Sequence, residues 1–305
     1  MIVKENRTIK KFSFTGWSIQ ITGQYLGDNI QMIYLKNSNK YLLTLLLVPG
    51  LFLALLTEAG EVEVTSPHSK KIDSLMFVGN SFFYYNNSLH NYLNQLVKNN
   101  KSIESLKLRS ITINGSSLSW HPLESYLDNK NIGSFRIDTS NDNEYIKSED
   151  TSIDAVIFMD CSLCPIHPMT KDNFHKYVAE HSETIRSKGM EPMLFMSWPY
   201  KNKPLMMQEL RQEFIKAANK NNILLIPAGE AFYSFTKAYP DIDLYTRDLR
   251  HPSKEGTYLA AAVVFATIFN TAVEGNKGIK DIDPEVALKI QQIADFAVQE
   301  FFQGE

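Results

Sequence analysis

From residue 70 onward, short apolar runs alternate with longer segments whose apolar residues recur every three or four positions. Leu75–Val78, Leu106–Ile113, Ile153–Met159, Pro192–Met196 and Ile223–Ile226 read as strands, the second alternating imperfectly through Leu106, Leu108, Ile111 and Ile113 and the third apolar throughout apart from Asp154. The stripe Leu89, Tyr92, Leu93, Leu96 and Val97 predicts a helix, and further helices are expected over 174–188, 210–218, 256–269 and 284–302. Gly189 supplies the stop for the first of these four. Strands that alternate with helices in this way predict an α/β fold, a three-layer α/β/α sandwich around a five-stranded, mostly parallel sheet. The stretch 129–151, rich in Asn, Asp and Ser, is expected to be a surface excursion without regular structure.

The amino-terminal part has a different pattern. Lys36 to Lys40 is polar and basic, and Tyr41 to Leu56 is an uncharged apolar run of about 16 residues, the arrangement of a secretory signal. A membrane span needs ~20 residues, and Pro49-Gly50 would weaken a permanent helix, so export is expected rather than anchoring through 41–56. Residues 32–60 then form the signal peptide, with Met32 as a natural start. Residues 1–31 read as an upstream extension or a disordered lead, and 70–305 as one domain. A buried apolar element at 41–56 is the alternative. With 44% apolar residues, 305 residues suffice for one sizeable core. The net charge of −3, without a basic stripe, argues against a nucleic-acid partner.

In a doubly wound sheet, ligands gather beyond the carboxyl ends of the strands, so the residues just after each run matter most. The first run ends in Gly79-Asn80-Ser81, where a serine on a strand-to-helix turn can present its hydroxyl and turn its own N–H toward a developing oxyanion. Near the other end, Asp248-Leu249-Arg250-His251 carries a carboxylate and an imidazole three residues apart. A serine hydroxyl needs a base at neutral pH, an imidazole is suited to the task, and a carboxylate orients the ring. Pro252 restrains His251 toward extended backbone.

These blocks resemble those of the SGNH, or GDSL-like, hydrolase family over about Ser74 to Asn270. Gly79-Asn80-Ser81 is similar to its nucleophile block, with Asn80 in place of the commoner aspartate, and Asp248 and His251 match its final Asp-x-x-His block. Gly115, in Thr112-Ile113-Asn114-Gly115-Ser116, is similar to its second block, whose glycine gives a backbone N–H to the oxyanion. The resemblance implies a flavodoxin-like fold and metal-free, cofactor-free ester hydrolysis. Ser81 would be the nucleophile, His251 the proton shuttle and Asp248 its partner, with the N–H groups of Ser81 and Gly115 as oxyanion donors. The family usually adds an asparagine side chain after the third strand. Here that place reads Asp160-Cys161-Ser162, so Ser162 or Asn114 is the candidate replacement. An ionised Asp160 aimed at the oxyanion would repel it.

Cys161 and Cys164 flank this position, with His167 three residues on. A local disulfide or inert thiols, a metal site with Asp160 and His167, and a redox pair are the competing readings. Trp198 and Trp120 follow the fourth and second strands, where an aromatic face would suit a sugar ring or an acyl chain; plugging the rim of the core is the alternative. Asn86-Asn87-Ser88 and Asn114-Gly115-Ser116 fit the glycosylation sequon. The expected function is an exported serine esterase acting on an ester or acetyl group of a carbohydrate or another small molecule. The alternative is a non-catalytic carbohydrate-binding or cell-envelope protein on the same fold.

Overall fold

The computed structural model describes residues 8–14, 17–23, 25–26, 29–30 and 60–303, apart from 130–131, 133–134, 139, 148–151 and 280. The chain divides into two compact units, Met1–Glu58 and Ala59–Glu305. In the first, β1 (Thr8–Phe14) pairs antiparallel with β2 (Trp17–Gly23), and β3 (Tyr25–Leu26) with β4 (Asn29–Ile30). The apolar run 41–56 lies outside the described residues, and among the described residues no helix is long and apolar enough to cross a membrane.

The second unit is built on five parallel strands: β5 (Ser74–Gly79), β6 (Lys107–Thr112), β9 (Ala155–Phe158), β10 (Glu191–Phe195) and β11 (Leu224–Ile226). Their order is β11-β10-β9-β5-β6, so the chain starts one strand in from an edge, fills that edge with β6 and returns past β5 to build the other side. Side chains alternate between faces along each strand. Leu75, Phe77, Ile157, Phe195 and Ile226 enter one core, and Met76, Val78, Phe158, Leu194 and Leu225 enter the other.

The first core is covered by α2 (Leu89–Lys98), α6 (Ala228–Ala238), α7 (Lys254–Phe269) and α8 (Pro284–Gln303). The second is covered by α3 (Leu123–Asp128), α4 (Lys171–Ser187) and α5 (Met206–Asn221). That is the expected three-layer sandwich. Helix α7 is apolar around its whole circumference because it packs against α2, α6 and α8, so it has no solvent face to make polar. Asp154, the charge at the head of the third run, accepts from Asp73 N (2.8 Å), Ser74 N (2.9 Å) and Ser74 Oγ (2.9 Å), which compensates it at the sheet's starting edge.

One expectation is corrected. Within 129–151, β7 (Phe135–Asp138) and β8 (Glu144–Lys147) pair as an antiparallel hairpin. Its turn uses Asp142 and Asn143 at positive φ, which these two residue types tolerate.

Candidate active site

Gly79 closes β5, where a Cβ would stand 2.6 Å from Met159 Cγ and 2.9 Å from Phe83 Cδ2. No side chain fits there, and the chain can turn at once into the short helix α1 (Ser81–Tyr84). Asn80 caps that helix by accepting from Phe82 N (3.2 Å). Its amide donates to Ser116 O and Asp160 O, both at 3.1 Å, so one buried side chain ties together the loops after β5, β6 and β9. Ser81 is the first helical residue, and its N–H has no preceding turn to bond.

The loop before α7 is closed by Thr246 N donating to His251 O (2.8 Å), with Tyr245 bridged to Pro252. Leu249 takes φ 62°, a left-handed conformation that a leucine rarely adopts, and this tightens the turn so that Asp248 and His251 face each other. His251 Nε2 lies 2.8 Å from Ser81 Oγ, and its Nδ1 donates to Asp248 Oδ2. With Nδ1 protonated toward the carboxylate, Nε2 is the nitrogen that accepts from the serine hydroxyl. Asp248 is also held by Thr246 Oγ1 (2.8 Å), His251 N (2.9 Å) and Arg250 N (3.0 Å). Partial burial works against its charge, but the His251 ring and these donors prevail and keep its carboxyl well below the usual range. The structure thus brings Ser81, His251 and Asp248 into one chain of hydrogen bonds.

Gly115 follows β6 with φ +68°, in a turn where Ser116 N donates to Ile113 O (3.2 Å). Asn114 Oδ1 accepts from Tyr84 Oη (2.8 Å), and Ser162 Oγ pairs with Tyr200 Oη (2.8 Å). The Asn114 contact occupies its carbonyl oxygen and leaves the donor Nδ2 uncommitted by this bond, while the Ser162 hydroxyl is shared with Tyr200. Asp160 Oδ1 accepts from Leu118 N (2.9 Å) and Cys161 N (2.7 Å), so that oxygen braces the turn around Leu118 instead of being left for a developing oxyanion. Burial pushes its pKa up to about 6 against the opposing pull of those two N–H groups.

Cys161 and Cys164 are joined in a disulfide. Their sulfurs lie with an Asp160 oxygen inside a span of 4.8 Å, yet sulfurs bonded to each other are not thiolate ligands. A second serine–histidine contact, Ser116 Oγ to His121 Nε2 at 2.9 Å, is buried, and that hydroxyl donates to Gly79 O (3.2 Å). Burial, with His181 nearby, pushes His121 down to about 4, so it is a neutral imidazole within a packed turn.

Trp198 requires a correction. It is wholly buried, stacked between Phe82 (4.5 Å between centroids) and Phe232 (3.9 Å), and it donates Nε1–H to Arg250 O (3.0 Å). With both faces covered it has none to offer a ligand; instead it anchors the backbone next to His251. Trp120, by contrast, is 58% exposed on the turn that Asp160 braces.

Many solved structures resemble the chain, three of them as follows. A DUF4886 family protein from Bacteroides uniformis matches with a TM-score of 0.53 and 20% identity, over 74% of this chain and 94% of that one. A protein assigned as a GDSL-like lipase from Parabacteroides merdae matches at 0.50 and 13%, over 70% and 100%. The chain has the SGNH-hydrolase fold. A protein assigned as an SGNH hydrolase from Slackia heliotrinireducens gives 0.47 and 22% identity, over 65% of this chain and 99% of that one. No family model matches the sequence, and no curated protein does. On the SGNH fold, Ser81, Gly115 and the Asp248–His251 loop follow β5, β6 and β11 with α6, all at the carboxyl edge of the sheet.

Sequence reasoning passed over three residues that build this edge. Asn80 was part of the motif, but its role as a tie between loops depends on carbonyls far away in the chain. Tyr85 and Asn86, which touch His251 and Pro252, lie in a Tyr-Tyr-Asn-Asn run that drew notice as a glycosylation sequon, and its signal for this role was the asparagines' tolerance of left-handed backbone.

Proposed function

We propose that the protein is a serine hydrolase of ester bonds that works through an acyl-enzyme. The observation that carries this reading is the 2.8 Å contact between Ser81 Oγ and His251 Nε2, with Asp248 on the far nitrogen of the same ring. Ser81 Oγ attacks the ester carbonyl, its proton passes to His251 Nε2, and the imidazolium returns it to the departing alcohol. Water then repeats the sequence to release the acid. The N–H groups of Ser81 and Gly115 supply the oxyanion donors, and the Asn114 amide or the Ser162 hydroxyl is the candidate for a third.

The exposed face of Trp120 supports a carbohydrate or acyl substrate, with an acetyl ester as the simplest case. The Cys161–Cys164 disulfide and the apolar run 41–56 support an exported protein.

The test is hydrolysis of p-nitrophenyl acetate by wild type and Ser81→Ala, together with labelling by a fluorophosphonate probe. The expected results are a loss of ~10³-fold or more in kcat and labelling that disappears with the serine. Equal rates and an unlabelled Ser81 would overturn the reading. They would favour the non-catalytic carbohydrate-binding alternative, which the lack of an amide at position 160 supports.

A further inference from the structure

Two of the features that hold His251 were expected: the carboxylate on Nδ1 and the serine on Nε2. Both act at the edge of the ring and leave its two faces to other groups. One face of the imidazole is covered by Tyr85, with centroids 4.2 Å apart and planes 4° from parallel. Phe82 meets it edge-on at 5.6 Å.

Tyr85 stands at the head of a strained segment. Asn86, Asn87 and Ser88 follow one another at φ 53°, 67° and 73°, three successive left-handed residues, none of them glycine. Such backbone persists only when its surroundings over-determine it. Here they do. Asn86 Nδ2 donates to Pro252 O and to Thr257 Oγ1, both at 2.8 Å, and Ser88 Oγ donates to Phe83 O at 3.0 Å. The segment that begins with the nucleophile therefore crosses to the histidine loop, bonds the residue next to His251 and lays an aromatic ring on the imidazole.

Resting on the function proposed above, we infer that Tyr85, held by Asn86, is a positioning residue for His251. When the Ser81 O–H bond breaks, its proton forms a bond to Nε2 and the ring becomes a cation. The adjacent π face then stabilises that cation and keeps Nε2 directed at the serine oxygen. A static structural role would not depend on the charge of the ring, whereas this one does.

The experiment compares Tyr85→Phe, Tyr85→Leu and Asn86→Gly with wild type, the last keeping left-handed backbone while removing the amide. On p-nitrophenyl acetate, Tyr85→Phe should stay within about twofold of wild type, and Tyr85→Leu should lose about tenfold in kcat with KM little changed. Asn86→Gly should lose kcat in the same direction. The low-field proton resonance of His251 Nδ1–H should move in Tyr85→Leu and Asn86→Gly and stay in place in Tyr85→Phe. A folded Tyr85→Leu with wild-type kcat and an unmoved resonance would overturn the inference, as would equal losses in the Phe and Leu variants. If Tyr85→Leu does not fold, Asn86→Gly decides by the same two measurements. Ser81→Ala, run alongside, separates the two ideas: if it stays fully active the hydrolase reading fails, while the resonance still judges whether Tyr85 positions the ring.

Discussion

Asp248 and Asp160 both lie at the carboxyl edge of the sheet, and their surroundings drive them in opposite directions. Asp248 is partly exposed and accepts from a ring nitrogen, a hydroxyl and two backbone N–H groups, so its charge is secured. Asp160 is buried with two backbone donors, and desolvation wins, lifting its pKa to about 6. Both carboxylates are hydrogen-bonded, so hydrogen bonding alone does not separate them. What separates them is the balance between number of donors and access to water. In the proposed mechanism Asp248 retains the charge that an imidazolium needs beside it, while Asp160 acts as a brace for the Leu118 turn and carries its charge at a cost.

The sharpest way to break this comparison is Asp248→Asn, which keeps the shape but favours the wrong histidine tautomer. We expect kcat on a short acyl ester to fall ~10⁴-fold with KM little changed. A loss under about tenfold would place Asp248 among the structural groups with Asp160.

Next is Asp160→Asn. The folded pKa of about 6 lies above the reference value of 3.8, so the folded state binds the proton more tightly. Stability from this group is therefore fully present below pH 3.8 and is lost as pH rises to about 6. That shift corresponds to ~3 kcal/mol. Relative to wild type, the variant should gain up to ~3 kcal/mol between pH 4 and pH 8, read from urea unfolding at the two pH values. A difference that does not change with pH would mean that burial does not govern Asp160.

A smaller effect is expected from the Cys161→Ser, Cys164→Ser pair. The bridge closes a loop with a sequence separation of 3, so its loss should cost at most ~2 kcal/mol in thermal unfolding. Turnover should stay within about threefold if Asp160 alone holds the turn. Smallest is Trp120→Ala, expected to leave stability within about 0.5 kcal/mol while raising KM roughly threefold. An unchanged KM would remove Trp120 from the path of the substrate.

Much of this was legible from periodicity and spacing. Four of the five runs lie on strands covered on both faces, which demand continuous apolar stretches, while Leu106–Ile113 alternates because β6 is a half-buried edge strand. Helix α6 was missed. Pro227 at its N-cap and Gly229 in its first turn are weak helix signals, although Gly229 is small because a Cβ there would stand 2.4 Å from Ser197 O. Trp198 was misplaced for a related reason: its position after a strand was visible, but the rings above and below it come from α1 and α6. The serine, aspartate and histidine could be named because their chemistry restricts the residue types. Tyr85 and Asn86 could not, since stacking and a bond to a carbonyl leave no spacing rule behind.

Asn80 has a consequence for how the Gly79-Asn80-Ser81 block can vary. An amide has two hydrogens to give, and here both go to main-chain carbonyls, 36 and 80 residues further along the chain. An aspartate in the same place would present oxygen to oxygen at both contacts, and a proton on it would satisfy only one of them. Gly-Asn-Ser and Gly-Asp-Ser are therefore not interchangeable spellings of one block in this scaffold. The middle letter is set by how the second and third loops turn their carbonyls, so a change there would have to arrive together with changes in both.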